Sequence, residues 1–140
     1  MRSGTTVTVV DASILVTAVA DDGADGVLVR DRLRGEDLAA PELIDLEVAS
    51  VLRRLTLAGR LTTERAAAAL ADLSDFAIKR ASHRPLLARC WDLRTNMTIY
   101  DAAYVALAEG LGTVLLTADA RLARSAGARC PVELLERPRA

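Results

Sequence analysis

Short apolar runs separated by longer amphipathic stretches recur along the chain, and this alternation predicts strands connected by helices. The apolar runs are rich in branched side chains, which is typical of strands buried within a sheet. We expect strands at residues 7–10, 38–40, 76–81, 114–116 and 132–135. Each run is followed by a polar residue or a proline, which marks its end.

The stretches between these runs have the apolar periodicity of helices. We expect helices at residues 12–19, 27–34, 41–58, 63–74, 85–94 and 98–110, and a short helix that begins at Asp119. Pro41 suits the first turn of a helix, Thr62 suits an N-terminal cap, and Gly59 suits a C-terminal stop. Residues 21–26 are polar and contain glycine, so they predict a break between two helices.

Strands that alternate with helices imply a parallel sheet, because each connection crosses over the sheet and lays a helix on one of its faces. The predicted fold is therefore α/β, with three layers, a central parallel sheet between helices and a single domain over residues 1–140. The last residues, 136–140, are expected to form a loose tail.

Two acidic residues follow two of the predicted strands. Asp11 comes directly after the first strand, and Asp119 comes shortly after the fourth. Ligands of open parallel sheets gather beyond the carboxyl ends of the strands, so both positions favour a functional site. Each acid could instead cap the helix that follows it. Ser13 could likewise cap a helix or hold the Asp11 carboxylate in place, and Thr117 is a strand-end residue in a supporting position.

Two further acids lie on helices that are otherwise apolar. Glu47 falls about 60° from the centre of the apolar stripe of its helix, where an unpaired carboxylate is costly. Asp45 lies nearer the solvated edge of that helix and is the weaker candidate. Asp101 precedes an almost wholly apolar stretch, so we expect it to face an interior cleft. The alternatives are a salt bridge from Glu47 to Arg54 or another arginine, and a capping pair of Asp101 with Thr98.

The four acids form a set that would repel itself unless a cation neutralised it. Carboxylate oxygens are hard ligands that select Mg²⁺, with Mn²⁺ as a possible substitute. Such a site suits hydrolysis of phosphodiester bonds, because the metal ion lowers the pKa of a bound water and neutralises charge on the phosphate oxygens. We therefore expect these acids to be both metal ligands and catalytic residues: Asp11, Glu47, Asp101 and Asp119.

Composition narrows the choice of partner and compartment. The chain has 18 Lys and Arg against 19 Asp and Glu, so its net charge of −1 gives no overall basic field, and a nucleic acid would have to be held locally. Cys90 and Cys130 lack the spacing of a metal site and the density of a secreted disulfide scaffold. No apolar stretch approaches the length of a membrane span, and residues 1–6 contain no signal-peptide core. These features favour a cytoplasmic protein without a membrane partner.

Four segments of the chain resemble, in order, the motifs of PIN-domain ribonucleases, in particular the VapC-type toxins of bacterial toxin–antitoxin pairs. They are residues 9–13, 40–48, 100–108 and 116–122. The resemblance covers nearly the whole chain and implies a PIN-like fold, Mg²⁺-dependent endoribonuclease activity on RNA, a homodimer, and inhibition by a small cognate antitoxin docked over the active site. By motif, the family's four acids correspond to the four named above, with Ser13 as a supporting hydroxyl.

Two other classes of protein share this predicted architecture. A receiver-like signalling domain is also α/β and binds metal, but it would need adjacent acids at the first strand and a lysine near the last. Asp11 has no acidic neighbour, and Lys79, the sole lysine, lies in the middle of the chain. A non-catalytic binding domain of the same fold is the remaining alternative, and a nuclease assay would separate it from the enzyme.

Overall fold

The computed structural model describes residues 7–136, which fold around a five-stranded sheet. The strands are β1 (Val7–Val10), β2 (Asp37–Pro41), β3 (Lys79–Ala81), β4 (Leu115–Thr117) and β5 (Val132–Leu134). They lie in the order β3-β2-β1-β4-β5, and all neighbouring strands run parallel. Of the predicted loose tail, Glu136 is exposed and residues 137–140 lie outside the described residues.

Helices fill every connection between the strands. They are α1 (Ala12–Ala20), α2 (Ala24–Leu33), α3 (Ile44–Leu57), α4 (Thr63–Asp75), α5 (Leu87–Asp92), α6 (Ile99–Leu111) and α7 (Ala120–Ala123). Because parallel connections are right-handed, α1 to α4 cover one face of the sheet and α5 to α7 the other. The predicted three-layer α/β fold with a central parallel sheet is confirmed. Within residues 7–136 no helix is both long and apolar enough to span a membrane.

The core covers both faces of the sheet, and its longest buried segment lies in α6. Val9, Val10, Leu115 and Leu116 of the two central strands are fully buried. Residues 102–108 of α6 are buried without interruption, and this helix packs on β1, β2 and β4. The burial of so long a run confirms that α6 is an interior helix. Because α6 packs on the sheet, its first turn, which carries Asp101, is held close to the sheet.

The prediction that Pro41 opens a helix is wrong, because Pro41 is the last residue of β2 and pairs with Ala81 of β3. The next residue, Glu42, donates its backbone N–H to the Ala81 carbonyl at 2.8 Å. The hydrogen bonds between β2 and β3 therefore continue past Pro41 through Glu42. Proline has no N–H to donate, but the pairing of the two strands does not need one at this position. Helix α3 begins three residues later, at Ile44.

Two other element bounds differ from the prediction. Helix α2 begins at Ala24, so Gly26 lies inside the helix rather than in the break. A Cβ on Gly26 would stand 1.9 Å from the Asp21 carbonyl oxygen, so glycine allows a close approach here. Strand β3 is shorter than expected, because the Ile78 N–H bonds the Phe76 carbonyl at 2.9 Å and this tight turn keeps residues 76–78 out of the ladder.

Candidate metal centre

The strand order reverses direction between β1 and β4, and two of the predicted acids lie at this point. β1 and β4 pair in parallel with Val10 opposite Leu116, so their carboxyl ends lie side by side. Asp11 follows β1 directly, and Asp119 follows β4 after one intervening residue. In open α/β sheets such a reversal opens a crevice where ligands bind.

Both acids also cap the helices that follow them, as the alternative interpretation proposed. Asp11 Oδ1 accepts from the Ile14 N–H at 3.2 Å, and Asp119 Oδ1 accepts from the Arg121 N–H at 2.9 Å. A cap of this kind uses one carboxylate oxygen. The second oxygen of each acid has a different partner: Asp11 Oδ2 accepts from Thr117 and Asp119 Oδ2 accepts from the Arg121 side chain. Capping therefore leaves each acid an oxygen for another task.

Asp11 is the most deeply buried of the four acids, at 5% exposure. Ser13 Oγ donates to Asp11 Oδ1 and Thr117 Oγ1 donates to Asp11 Oδ2, each at 2.5 Å. Among the described residues no lysine, arginine or histidine forms an ion pair with it. Burial raises the pKa of Asp11 to about 6, although these hydrogen bonds pull it the other way. The acid is therefore held in place without being neutralised.

The two hydroxyls that hold Asp11 also reach the backbone that carries Asp119. Ser13 Oγ accepts from the Ala118 N–H at 2.9 Å, and Thr117 Oγ1 accepts from the Asp119 N–H at 3.0 Å. Each hydroxyl thus joins the Asp11 carboxylate to the turn after β4. Hydrogen-bond donors of this type orient the carboxylates of metal sites. That Ser13 and Thr117 support a metal ligand in this way stays a prediction.

Glu47 lies half-buried in the first turn of α3, and its hydrogen-bond partner is a tyrosine. Tyr104 of α6, 1% exposed, donates its hydroxyl to Glu47 Oε1 at 2.5 Å. Burial raises the pKa of Glu47, the tyrosine hydrogen bond opposes this shift, and the charge of Asp101 adds to it. Within residues 7–136 Glu47 forms no ion pair, so the alternative of a salt bridge to arginine is wrong. The weaker candidate, Asp45, is instead paired with Arg80 at 2.7 Å.

Asp101 and Asp119 share one guanidinium group. Arg121 Nη2 lies 3.2 Å from Asp101 Oδ2 and 3.2 Å from Asp119 Oδ2. Thr98 caps α6 by accepting from the Asp101 backbone N–H at 3.1 Å, so the expected pair forms through the backbone and leaves the Asp101 carboxylate for Arg121. The Arg121 side chain is 62% exposed. The exposed guanidinium of Arg121 therefore bridges two of the predicted metal ligands.

Electrostatic interactions connect the members of the set. The charge of Asp101 raises the pKa of both Asp11 and Glu47, beyond the larger effect of burial, as expected for like charges held close together. An all-oxygen set of this kind fits a hard divalent cation. Between residues 7 and 136 no three acidic, histidine or cysteine side chains converge on one point as they are placed. Two of the predicted ligands, Asp101 and Asp119, instead bind the Arg121 guanidinium.

Two residues of this cluster were not predicted from the sequence, Tyr104 and Arg121. Tyr104 follows Asp101 by three positions, so both lie on one face of α6, and a buried tyrosine hydroxyl usually finds a polar partner. Arg121 follows Asp119 by two positions at the start of α7. These spacings were the signals that could have identified them.

Comparison with known sequences gives consistent matches. The chain matches the PIN domain over residues 8–128. It is 43% identical over 128 residues to Ribonuclease VapC1 of Mycobacterium tuberculosis (strain CDC 1551 / Oshkosh), a match that covers 91% of this chain and 96% of that protein. It is 40% identical over 129 residues to Ribonuclease VapC9 of the same strain, covering 92% of this chain and 98% of that protein.

Solved structures with the same architecture include two of distant sequence. The crystal structure of PAE2754 from Pyrobaculum aerophilum superposes with a TM-score of 0.66 at 27% identity, covering 93% of this chain and 85% of that chain. The structure of VapBC2 from Rickettsia felis, bound to a DNA fragment from its promoter, gives a TM-score of 0.65 at 12% identity, covering 91% of this chain and 98% of that chain. At that identity the second match speaks for the fold alone.

Proposed function

The chain belongs to the PIN-domain family, and we propose that it is an endoribonuclease of the VapC type, the toxin of a toxin–antitoxin pair. The relatives named VapC1 and VapC9 are ribonucleases, and both match along nearly the whole of their length. The substrate is therefore RNA, and the reaction is hydrolysis of its phosphodiester bonds. The domain proposed for this activity is the whole chain, residues 1–140, with residues 136–140 as a tail.

We further infer that four carboxylates bind the divalent metal ion on which cleavage depends: Asp11, Glu47, Asp101 and Asp119. The ion proposed is Mg²⁺, with Mn²⁺ as a substitute. The observation that carries this inference is the Asp11 carboxylate, which is 5% exposed and, within residues 7–136, is bonded only to hydroxyl and backbone donors. A buried carboxylate is costly unless a cation balances it. A metal ion would supply that balance.

The residues around the proposed ion would then contribute to the reaction in several ways. A bound divalent ion would lower the pKa of a water molecule and offset negative charge on the phosphate oxygens. Ser13 and Thr117 fix the direction of both Asp11 oxygens. Glu47, oriented by Tyr104, has a raised pKa and can accept the proton that the attacking water loses. Arg121 reaches the same site from its exposed rim.

The partners proposed for the chain follow from its activity. We propose that this chain acts on RNA in the cytoplasm and is restrained there by a small cognate antitoxin that docks over the active site. We also propose a homodimer. Co-expression with the product of an adjacent reading frame tests the antitoxin, which should co-purify and block cleavage. Light scattering of the purified chain should give twice the 14.9 kDa chain mass.

A cleavage assay tests the proposed function directly. Purified chain is incubated with single-stranded RNA in Mg²⁺, in Mn²⁺ or in EDTA, beside the variant Asp11→Asn. We expect cleavage with either metal, none in EDTA and none with Asp11→Asn. RNA that stays intact with the wild-type chain in both metals would instead favour a non-catalytic binding domain of this fold.

A further inference from the structure

An exposed aromatic side chain lies beside two of the proposed metal ligands. Tyr100 is 63% exposed and directly precedes Asp101 in the first turn of α6. Tyr104 lies one helical turn later on the same face of α6, where it is buried and donates its hydroxyl to Glu47. Tyr100 therefore lies at the rim of the proposed site, one turn closer to solvent than the tyrosine that holds Glu47.

Tyr100 is part of a larger apolar rim, formed by Leu46, Ile99 and Tyr100. Leu46 directly precedes Glu47 and is 77% exposed, and Ile99 is also exposed. Burial, and after it the charge of Asp101, raise the pKa of Glu47, so these two acids lie within electrostatic range of each other. Exposed apolar side chains that gather at one place mark sites of interaction more often than single ones do.

No contact within the fold accounts for the exposed ring of Tyr100. Between residues 7 and 136 its hydroxyl forms no hydrogen bond, and its ring has no cation or second ring against it. The other exposed aromatic residue, Trp91 on α5, differs in this respect, because the Arg94 guanidinium lies 4.6 Å from the centre of its ring. The Tyr100 ring is therefore free to contact a ligand.

The charges around the site favour a contact that does not depend on cations. The net charge of the chain is −1, and among the described residues the cation bonded to the four acids is Arg121, which Asp101 and Asp119 already share. Attraction between basic side chains and phosphates, the usual source of affinity for nucleic acids, is therefore weak here. Stacking of a base on an aromatic ring supplies affinity without charge.

We propose that the Tyr100 ring stacks on an unpaired base of the RNA, in a nucleotide next to the cleaved phosphate. The proposal rests on the ribonuclease function proposed above. A base inside a duplex has neighbours on both faces, so only an unpaired base can offer a face to the ring. Leu46 and Ile99 extend the apolar surface beside it. Because every base has a face that can stack, Tyr100 binds the strand without selecting one base.

Steady-state kinetics test the stacking, with a single-stranded RNA oligonucleotide that the wild-type chain cuts at one mapped position. Tyr100→Ala should raise KM about 5- to 150-fold, the range that one base stack contributes. The kcat should change little, because the stack holds the bound substrate and the transition state equally. Tyr100→Phe and Tyr100→Trp keep an aromatic ring and should keep a KM close to that of the wild type.

Two controls separate stacking from other effects of substitution. Trp91→Ala is the matched control, because Trp91 is 61% exposed but precedes none of the four acids, and it should keep the wild-type KM. The rise in KM of Tyr100→Ala should be the same at about 50 mM and about 200 mM salt, a range over which phosphate contacts weaken steeply. Tyr100→Ala should fold, since the residue is exposed and alanine favours helices.

RNA that lacks one base identifies the partner of the ring. Oligonucleotides with a single abasic nucleotide, placed in turn at each position around the cut, are cleaved by the wild-type chain and by Tyr100→Ala. At one position next to the cut the missing base should raise the KM of the wild type as Tyr100→Ala does. The two changes together should add no further rise, because both remove the same stack. Additive effects at every position would overturn the proposal.

The remaining failures are distinguishable. If the wild-type chain shows no cleavage that Asp11→Asn abolishes, the ribonuclease function has failed, and the stacking site with it. If cleavage depends on Asp11 but Tyr100→Ala keeps the wild-type KM, or lowers kcat alone, the stacking role is wrong and the function stands. An unchanged KM together with loss of the dimer, or of a co-purified protein partner, would instead assign the apolar rim to a protein interface.

Discussion

The carboxylates of Asp11 and Glu47 differ from those elsewhere in what balances their charge. Asp11 and Glu47 accept hydrogen bonds from hydroxyls, and burial raises the pKa of both. Glu109 on α6 is also largely buried, yet it accepts two hydrogen bonds from Arg89, at 2.7 and 3.0 Å, and one from the Arg129 N–H at 2.7 Å. These contacts, the Arg89 hydrogen bond first, lower the pKa of Glu109.

The difference shows where the fold leaves charge uncompensated. Glu133, paired with Arg32, follows the pattern of Glu109, and its pKa is also lowered. Arginine is abundant in the chain, so the lack of an arginine partner for Asp11 among residues 7–136 is a property of the site rather than a shortage of cations. Hydroxyl donors orient a carboxylate but add no positive charge. For Asp11 and Glu47 we therefore propose a balancing cation that is not part of the chain.

The largest expected effect contrasts Asp11 with Glu109. Asp11→Asn should lower the rate of RNA cleavage by more than about 100-fold. Loss of a residue that only hydrogen-bonds to a metal ligand already lowers metal affinity or activity by about 10- to 100-fold. Glu109→Gln should leave cleavage intact and instead lower the free energy of unfolding by about 1–3 kcal/mol, because Arg89 loses its charged partner. Cleavage rates and urea unfolding of both variants check the contrast. An equal loss of cleavage in Asp11→Asn and Glu109→Gln would contradict the proposed difference between the two carboxylates.

The second prediction concerns pH in the metal-free protein. The pKa of Asp11 is raised from 3.8 to about 6, so its contribution to stability is full below pH 4 and is lost as pH rises through 6. The loss amounts to at most about 3 kcal/mol. Glu109 has a lowered pKa, so it stabilises the fold above its unfolded pKa and that contribution is lost as pH falls. The two groups therefore respond to pH in opposite directions.

Bound metal should remove the penalty at Asp11. The rise in melting temperature on addition of Mn²⁺ should accordingly be larger at pH 7.5 than at pH 5.5, measured by thermal unfolding against an EDTA reference. Asp11→Asn should show a smaller rise with little dependence on pH, while Glu109→Gln should behave as wild type. Equal rises at both pH values in the wild-type chain would count against an ionised, metal-binding Asp11.

The third prediction tests whether the Tyr104 hydroxyl orients the Glu47 carboxylate. Tyr104→Phe removes the donor to Glu47 and keeps the buried ring. Cleavage should fall about 10- to 100-fold, as for other groups that orient a metal-binding carboxylate. The fold should persist, because the ring still fills the core. The pH profile of cleavage supplies the distinguishing readout, since loss of the hydroxyl raises the pKa of Glu47 further. A slower variant with an unshifted profile would make Tyr104 a packing residue only.

The smallest expected effect concerns Arg121, the one arginine of the cluster. Its guanidinium contacts Asp101 and Asp119 and would have to leave when metal binds. Arg121→Gln should therefore tighten Mn²⁺ binding by about two- to fivefold, a modest factor because exposed ion pairs are weak. Calorimetric titration of the variant and the wild type measures this. Weaker binding in the variant would mean that Arg121 supports the metal site instead of competing for it.

Much of this architecture could be predicted because its signals are local. The apolar run of β1, the turn at Asp11 and the wholly apolar α6 are each visible within a few residues, and the strand-then-acid pattern recurs at Asp119. Parallel strands then bring such turns to one edge of the sheet. The helical position of Glu47 likewise predicted a carboxylate set against the core.

The remaining features depend on contacts between distant segments. The local sequence around Pro41 predicts a helix start, and only its pairing with Ala81 of β3 shows that it belongs to a strand. The local sequence around Gly26 predicts a break, and only the close approach of the Asp21 carbonyl explains a glycine inside a helix. The bond from Tyr104 to Glu47 joins residues 57 positions apart, which no local pattern encodes. Tertiary packing therefore decided what local propensity left open.

Our central proposal is that Asp11 and Glu47, which have no cationic partner among the described residues, take part in binding a divalent metal ion. Isothermal titration of Mn²⁺ into the metal-free wild-type chain, Asp11→Asn and Glu109→Gln tests it most directly. We expect saturable binding by the wild type and by Glu109→Gln, and binding at least about tenfold weaker in Asp11→Asn. Equal affinity in all three proteins, or no binding by the wild type, would contradict it.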